Sequence, residues 1–261
     1  MNYNKFILFG DSITQYSNEI NDNFALQPAL QNRYIRKLDV INRGYSGYSS
    51  EHARLILPKL LESELNSKKD NIKLMTIFFG TNDGFDDINS IQPVELERHK
   101  ENIKFLLQLA LENNIKPILI GPSLHDPKIA KDEFSNSDKG SLGRDATTNE
   151  RYHQYSEGAK EVAQEFNVPF VDLWNLFRID GGWTKEQLFE VSGDKEHWQV
   201  GTLADYLNDG IHFTSKAYRI MFDGVVKAIE DYYPEYLPEN LPTKLVGWRE
   251  INPDNLESIF K

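Results

Sequence analysis

The chain has 261 residues and no cysteine, which excludes disulfide frameworks, thiolate zinc sites and thiol catalysis. Its formal net charge of −11 disfavours nucleic acid and anionic membrane surfaces as partners. The hydrophobic share of 39% and the aromatic share of 12% suffice for a core, which excludes general disorder. Residues 1–5 lack the basic start of a secretion signal, and no apolar run reaches the roughly 18 residues needed to cross a bilayer. We therefore expect a cytoplasmic protein.

Short apolar runs alternate with amphipathic stretches, the pattern of βαβ units that build a parallel sheet. Interleaved helices between five strands predict a doubly wound, three-layer α/β/α sandwich. Without an internal repeat or a Gly/Ser linker, residues 1–261 are expected to form a single domain, and the Pro-spaced tail at about 234–261 is not expected to be helical. The predicted strands lie at 6–9, 40–41, 74–79, 118–120 and 170–173.

Apolar residues at helical spacing predict helices between these strands. Pro58 should kink its helix or delay its start, and Thr147 with Glu150 has the spacing of a capping box. The stretch 180–204 is expected to be irregular. The predicted helices cover about 29–38, 50–65, 96–111, 150–166 and 218–232.

Polar residues collect where the predicted strands end. Asp11 and Ser12 follow the first strand, Gly44 follows the second, the block 80–83 follows the third, and Asp209-x-x-His212 comes after the fifth. The carboxyl ends of parallel strands share one edge of an open sheet, where ligands bind. We therefore expect these residues to meet at one site.

Acyl transfer requires a nucleophile, a base, an orienting acid and donors to the oxyanion. Ser12, on a strand-to-helix turn, is the candidate nucleophile. His212 is the candidate base because histidine exchanges protons near neutral pH, and Asp209 reaches its other ring nitrogen if the segment turns. The candidate oxyanion donors are the N–H groups of Ser12 and Gly44 and the side-chain amide of Asn82. Gly44 suits this role because a residue without Cβ allows close approach of a substrate.

Each motif alone is typical of a turn or a helix cap, and their order along the chain favours a common site. In that order they resemble the SGNH or GDSL-type serine hydrolases. The matching blocks are Phe9-Gly-Asp-Ser12, Gly44 within Asn-Arg-Gly-Tyr-Ser-Gly, Gly80-Thr-Asn-Asp83 and Asp209-Gly-Ile-His-Phe213. The resemblance implies a flavodoxin-like sheet with strand order 2-1-3-4-5 and a serine esterase that needs no cofactor or metal.

A finer likeness runs over most of the chain and is to the fungal isoamyl acetate-hydrolysing branch of that family. It rests on Gly121-Pro122, on the run from His212 to Tyr218, and on Lys244-Leu-Val-Gly-Trp248-Arg. It implies small-molecule substrates, namely short-chain acetate-type esters of small alcohols, and it favours a homodimer.

Other residues are expected near the site or at the surface. Asp11 and Asp83 should brace its turns by hydrogen bonding, and His125 is a candidate for lining the pocket. The sequence gives no reason to assign His197 to the site. The histidines predicted to be solvated on helices are His52, His99 and His153, and the candidate pocket walls are Phe85, Trp183, Trp198 and Tyr206.

Two other functions remain open at this point. A metal-dependent phosphoesterase would use Asp11, Asp83, Asp209 and His212 around two divalent ions, and a chelator would inhibit it. A flavodoxin-like binding module would cradle a phosphate or FMN in the loop 12–14 at a helix N-terminus, without need of His212, and would be yellow.

Overall fold

A computed structural model of the chain describes residues 3–20, 22–65, 71–86, 91–134, 147–191 and 202–260. The sheet is parallel throughout, with the order β2-β1-β3-β4-β5, as the sequence predicts. Its strands are β1 (Asn4–Gly10), β2 (Leu38–Gly44), β3 (Ile72–Phe78), β4 (Lys116–Ile120) and β5 (Phe170–Val171).

Helices cover both faces of this sheet. Side chains alternate along a strand, so Phe6 and Leu8 of β1 enter one apolar core while Ile7 and Phe9 enter the other. Burial on both faces explains why the strands are continuous apolar runs. The helices are α1 (Ser12–Gln15), α2 (Leu26–Arg33), α3 (Ser50–Leu65), α4 (Leu96–Glu112), α5 (Pro127–Phe134), α6 (Asn149–Glu165), α7 (Leu173–Gly181), α8 (Lys185–Phe189) and α9 (Ser215–Tyr232). The first core packs against α2, α7 and α9, and the second packs against α3, α4 and α6.

The predicted fifth strand is too long, because Asp172 ends it. The Asp172 side chain accepts a hydrogen bond from the N–H of Asn175 and so starts α7, which includes Leu173. Gly182 ends α7 in the left-handed conformation, with φ 71°. The stretch predicted to be irregular therefore begins inside a helix and also holds α8. Residues 192–201 of this stretch, with Trp198 and His197, lie outside the described residues.

One helix end and one helix cap also differ from the prediction. The second helix ends at Arg33, and Leu38 already belongs to β2. The helix α3 covers the predicted range, Ser50–Leu65, and so does not start late although Pro58 lies inside it. The cap of α6 is Thr148 rather than Thr147, and its side chain accepts from the N–H of Arg151 at 3.1 Å.

In its described residues the C-terminal tail has 3₁₀ turns in place of an α-helix, at Pro234–Tyr236, Trp248–Glu250 and Leu256–Ile259, and an antiparallel bridge joins Leu245 to Phe260. Its prolines make a continuous helix unfavourable, as the sequence predicts. Arg36 holds the tail by donating to the carbonyls of Leu245 and Val246 at 3.0 and 3.1 Å.

Strand register places the polar blocks side by side. Gly10 of β1 lies opposite Gly44 of β2 and Phe78 of β3, so these three central strands end at the same level. The residues that follow them therefore meet at one edge of the sheet. In the described part of the chain, no helix is long and apolar enough to cross a membrane.

Candidate active site

Ser12 lies at the junction between β1 and a one-turn helix. Asp11 caps this helix, since its Oδ1 accepts from the N–H of Ile13 at 2.9 Å. Ser12 is the first residue of α1, so no helical hydrogen bond uses its N–H. Its side chain is 5% exposed, which fixes the hydroxyl inside the site rather than in bulk water.

The segment that carries Asp209 and His212 is a tight turn. An antiparallel bridge between Leu207 and Phe213 closes its base, and Gly210 takes the left-handed conformation with φ 84°. Asp209 Oδ1 accepts from the N–H groups of Ile211 and His212 at 3.0 and 2.8 Å. This turn leaves the other carboxylate oxygen for the imidazole, which lies 2.5 Å away at Nδ1.

His212 connects this turn to the helix α1. Its Nε2 lies 2.9 Å from the Ser12 hydroxyl oxygen. Burial alone would raise the pKa of Asp209, but the hydrogen bonds from the ring and the backbone and the attraction to His212 outweigh it and lower that pKa to about 2. An ionised Asp209 accepts the proton of Nδ1, which leaves Nε2 to accept from Ser12. The three candidate residues Ser12, His212 and Asp209 thus form one hydrogen-bonded chain.

The loop after β4 supports the Asp209–His212 turn. The N–H of Asp126 donates to the carbonyl of Gly210 at 2.9 Å. A Cβ at Gly210 would overlap the Asp126 carbonyl oxygen and lie 2.7 Å from the N of Ala130. Only glycine therefore combines this positive φ with such close packing.

The amide of Asn82 is held on both of its ends. Its Nδ2 donates to the carbonyl of Tyr48 at 2.9 Å, and its Oδ1 accepts from Gln92 Nε2 at 3.1 Å. Gln92 Nε2 also donates to the carbonyl of Gly47 at 2.9 Å. These contacts fix the direction of the amide and use one of its two N–H hydrogens.

The turn that carries Asn82 is anchored from α6. The hydroxyl of Tyr152 donates to the carbonyl of Thr81 at 2.9 Å, and Arg151 Nε donates to the carbonyl of Gly84 at 2.8 Å. A Cβ at Gly84 would lie 2.7 Å from Tyr152 Cε1, so glycine allows the ring to pack on the turn. Such rigidity suits a preorganised donor.

The structure does not support Gly44 as the backbone donor that the sequence predicts. Gly44 is the last residue of β2, and its N–H donates to Asn42 Oδ1 at 2.9 Å. A Cβ at Gly44 would overlap the backbone N of Gln15, so its missing side chain makes room for α1 rather than for a substrate.

Gly47, three residues further along, lies next to Asn82 instead. It has φ 79° in the turn closed by the hydrogen bond from Tyr48 N–H to the Tyr45 carbonyl, at 3.1 Å. Its carbonyl shares Gln92 with Asn82, and its N–H has no acceptor among the described residues. The block Asn-Arg-Gly-Tyr-Ser-Gly contains both glycines. Only the register of β2 shows that Gly44 ends the strand and that Gly47 lies in the turn after it.

The histidines that the sequence predicts to be solvated are more buried than expected. His99 is fully buried, with Nδ1 2.8 Å from Asp83 Oδ1, so its prediction as a solvated residue is wrong. His52 and His153 are half-buried. Burial and the ammonium of Lys185, which donates to Nε2 at 2.9 Å, lower the pKa of His153.

His125 is fully buried, and its ring packs on Tyr152. Asn149 holds its backbone through hydrogen bonds of 2.8 and 2.9 Å. The aromatic residues Phe85, Trp183 and Tyr206 are buried in the first apolar core.

A cavity of about 330 Å³ opens beside His212. Tyr16 forms one wall, with its ring edge-on to the imidazole at a centroid distance of 5.2 Å. The other lining residues are Glu19, Asn208, Asp209, Phe213 and Tyr218. This volume is at the lower end of the range of about 300–1,000 Å³ usual for small-molecule sites.

The four residues of the phosphoesterase alternative do not form one centre. Asp83 is bonded to His99 and Ser50, whereas Asp209 is bonded to His212. Among the described residues, no three His, Asp or Glu side chains are grouped to hold a metal ion. The carboxylates instead serve as hydrogen-bond acceptors at the turns.

Comparison with known proteins identifies the family. The model of the GDSL-like lipase/acylhydrolase family matches residues 8–220. The chain belongs to this family. It is 38% identical to the isoamyl acetate-hydrolyzing esterase of Saccharomyces cerevisiae over 97% of this chain and 98% of that protein. It is 30% identical to the isoamyl acetate-hydrolyzing esterase 1 homolog of Homo sapiens, over 95% and 88% of the two chains.

A solved structure agrees with the fold. An acetylxylan esterase from Geobacillus stearothermophilus superposes with a TM-score of 0.57, at 18% identity, over 88% of this chain and 95% of that one. The family and these relatives make the chain a carboxylic ester hydrolase of the serine type. They give no support to the phosphoesterase or to the flavodoxin-like binding module.

Proposed function

We propose that the chain hydrolyses short-chain carboxylic esters, acetates of small alcohols such as isoamyl acetate, through an acyl-enzyme on Ser12. The observation that carries this proposal is the hydrogen-bonded chain from Asp209 through His212 to Ser12, with distances of 2.5 and 2.9 Å. The names of the yeast and human relatives support the acetate ester as substrate.

In the proposed first half-reaction, the Ser12 hydroxyl oxygen attacks the ester carbonyl carbon while His212 Nε2 takes its proton. The ionised Asp209 stabilises the resulting imidazolium. When the tetrahedral intermediate collapses, the bond to the alcohol oxygen breaks and His212 returns the proton to it. The alcohol leaves, and the acyl group stays on Ser12.

In the second half-reaction, water attacks the acyl carbon and gives its proton to His212. Collapse of the second tetrahedral intermediate breaks the bond to the serine oxygen, which recovers the proton. The products are the carboxylic acid and free enzyme, so the cycle needs no cofactor.

Three donors are proposed for the oxyanion in both steps. They are the N–H of Ser12 at the start of α1, the N–H of Gly47 in place of Gly44, and the remaining N–H of Asn82 Nδ2. Donors fixed before the reaction cost no reorganisation when the negative charge develops.

A series of p-nitrophenyl esters of increasing acyl length, with isoamyl acetate as the natural-type ester, tests the substrate class. We expect kcat/KM to be highest for acetate to butyrate and to fall for longer chains, since the yeast and human relatives are named for an acetate ester. EDTA should leave the rates unchanged. A preference for long acyl chains, or loss of activity in EDTA, would contradict the proposal.

We also propose that the whole chain acts as one domain, as a homodimer and in the cytoplasm. The relatives align with almost all of this chain, which supports one unit. The tail exposes Trp248, Leu256 and Phe260 at 75, 70 and 56%, apolar area that a second copy would cover. Light scattering after gel filtration tests whether the chain is a homodimer, and cell fractionation tests the cytoplasmic location.

A further inference from the structure

A second set of Ser, Asp and His side chains lies directly behind Asn82. Ser50, Asp83 and His99 are all 0% exposed. The Ser50 hydroxyl donates to Asp83 Oδ1 rather than to the imidazole, so the histidine is not placed to take its proton. Because Ser50 is also closed to solvent and substrate, it cannot act as a nucleophile, and the set must serve another purpose.

Asp83 is the centre of this cluster. Its Oδ1 lies 2.8 Å from His99 Nδ1, and its Oδ2 accepts from the N–H of Ser50 at 3.0 Å. Its backbone carbonyl accepts from the N–H of Val94 at 3.1 Å. Because Asp83 directly follows Asn82, these bonds also fix where the backbone of Asn82 lies.

Asn82 and Asp83 both bind the segment that follows Gly47. Asn82 Nδ2 donates to the carbonyl of Tyr48, and the Asp83 carboxylate accepts from the N–H and the hydroxyl of Ser50. Tyr48 and Ser50 lie one and three positions after Gly47. These contacts at two positions set the spacing between two of the proposed oxyanion donors.

Burial of His99 lowers the stability of the fold more than a purely structural residue would. Its Nε2 is buried and has no hydrogen-bond partner among the described residues, and a buried polar atom without a partner destabilises the folded chain. Its ring packs against Tyr155 at a centroid distance of 5.2 Å and lies under Gly80. An apolar side chain would avoid that cost, so the useful atom is Nδ1, which donates to Asp83.

We propose that His99 is a positioning residue that acts through Asp83 to hold the Asn82 amide toward the developing oxyanion. This inference rests on the proposed function, since it assigns Asn82 to transition-state stabilisation. The amide gains its full value only in the transition state, so its displacement should lower kcat and spare KM.

The first test replaces the donor. His99→Leu removes Nδ1–H and should lower kcat about 10- to 100-fold, a part of the roughly 10²–10³-fold that one oxyanion donor supplies. KM should change less than about threefold. His99→Asn, whose Nδ2 can occupy the position of Nδ1, should restore most of the loss. Ile103→Ala is the matched control, because it creates a cavity one turn along α4 and should leave kcat unchanged.

The deciding test repeats His99→Leu in an Asn82→Ala background. If His99 acts through Asn82, the second change should lower kcat less than about twofold there, because coupled residues are not additive. Ser50→Ala, which removes one donor to Asp83 and keeps the backbone N–H, serves if His99→Leu does not fold. It should lower kcat several-fold alone and less than twofold with Asn82→Ala.

Equal losses of kcat in both backgrounds, or an unchanged kcat in folded His99→Leu, would overturn the inference. Failure of the proposed function is seen separately, as activity that survives Ser12→Ala. If Ser12→Ala is inactive but the effect of His99→Leu does not depend on Asn82, only the positioning role is refuted.

Discussion

Asp209 and His212 are joined by two hydrogen bonds that use the two carboxylate oxygens separately. Oδ1 accepts from the His212 backbone N–H at 2.8 Å, and Oδ2 lies 2.5 Å from the ring Nδ1. The backbone bond fixes the turn, and the ring bond fixes the tautomer. One side chain therefore sets both the place of the imidazole and the nitrogen that faces Ser12.

Asp209→Asn should separate these two tasks. Its Oδ1 can still accept from the backbone, so the fold should remain, whereas its NH₂ donates to Nδ1 and forces the ring proton onto Nε2. An imidazole protonated at Nε2 cannot take the serine proton, so we expect kcat to fall on the order of 10³–10⁴-fold. Steady-state kinetics and a melting curve measure the two effects. A tenfold loss or less would show that Asp209 does not orient the base.

The two glycines of the second block should respond differently to alanine. Gly44→Ala should cost stability, because a Cβ there overlaps the backbone of Gln15 and neither segment can move freely. Gly47→Ala should cost only about 1–2 kcal/mol for the left-handed backbone. It should nevertheless lower kcat about tenfold or more, because alanine strains the left-handed backbone and places a Cβ 3.2 Å from Gln92 Nε2, which would turn the proposed donor N–H away from the oxyanion.

Urea unfolding measures the loss of stability in both variants, and steady-state kinetics measure their kcat. Normal turnover in a folded Gly47→Ala would remove Gly47 from the oxyanion site. A stable Gly44→Ala with a large loss of kcat would return the role to Gly44.

Asp11 should make stability depend on pH. Burial raises its pKa to about 7, although the N–H of Ile13 and the charge of His212 act in the opposite direction. Between pH of about 4 and 7 the folded chain keeps a proton that the unfolded chain releases. The contribution of Asp11 is therefore fully present below pH of about 4 and is lost as pH rises through about 7.

Asp11→Asn is the matched variant, since asparagine caps a helix as well as aspartate and carries no charge. The free energy of unfolding of the wild type, minus that of the variant, should fall between pH 5 and 8. Titrating groups that do not interact with Asp11 cancel in this difference. A difference that is equal at both pH values would contradict the raised pKa.

Much of the fold could be predicted because apolar runs and strand-end residues are local signals. The runs around Phe6 and Leu74 identify buried strands directly. The sequence does not show the end of β5, because the helix that Asp172 caps begins only three residues after the start of the strand, so strand and helix signals overlap. Leu173, Trp174 and Phe177 do have helical spacing, which together with Gly182 was the available signal.

At the site, the sequence does not show which residues contact each other, and this limits what can be predicted. The spacing of Asp209 and His212 indicates a turn, and topology brings Ser12 to it. The sequence cannot choose between Gly44 and Gly47, because that choice depends on the register of β2 against β1. His99 lies three residues after Leu96 and four before Ile103, on the apolar face of its helix. That spacing indicates burial, but only the fold shows Asp83 as its partner.

The covalent intermediate on Ser12 is the central claim, and a serine-directed organophosphorus probe tests it most directly. Wild-type protein, Ser12→Ala and Asp209→Asn are treated with the probe, and the modified peptide is located by mass spectrometry. We predict one adduct per chain on Ser12 in the wild type, with loss of esterase activity in parallel. Asp209→Asn should label much more slowly, because its base is in the wrong tautomer, and Ser12→Ala should not label. Complete inactivation with the adduct on another residue, or equal labelling of Ser12→Ala, would contradict the assignment of the nucleophile.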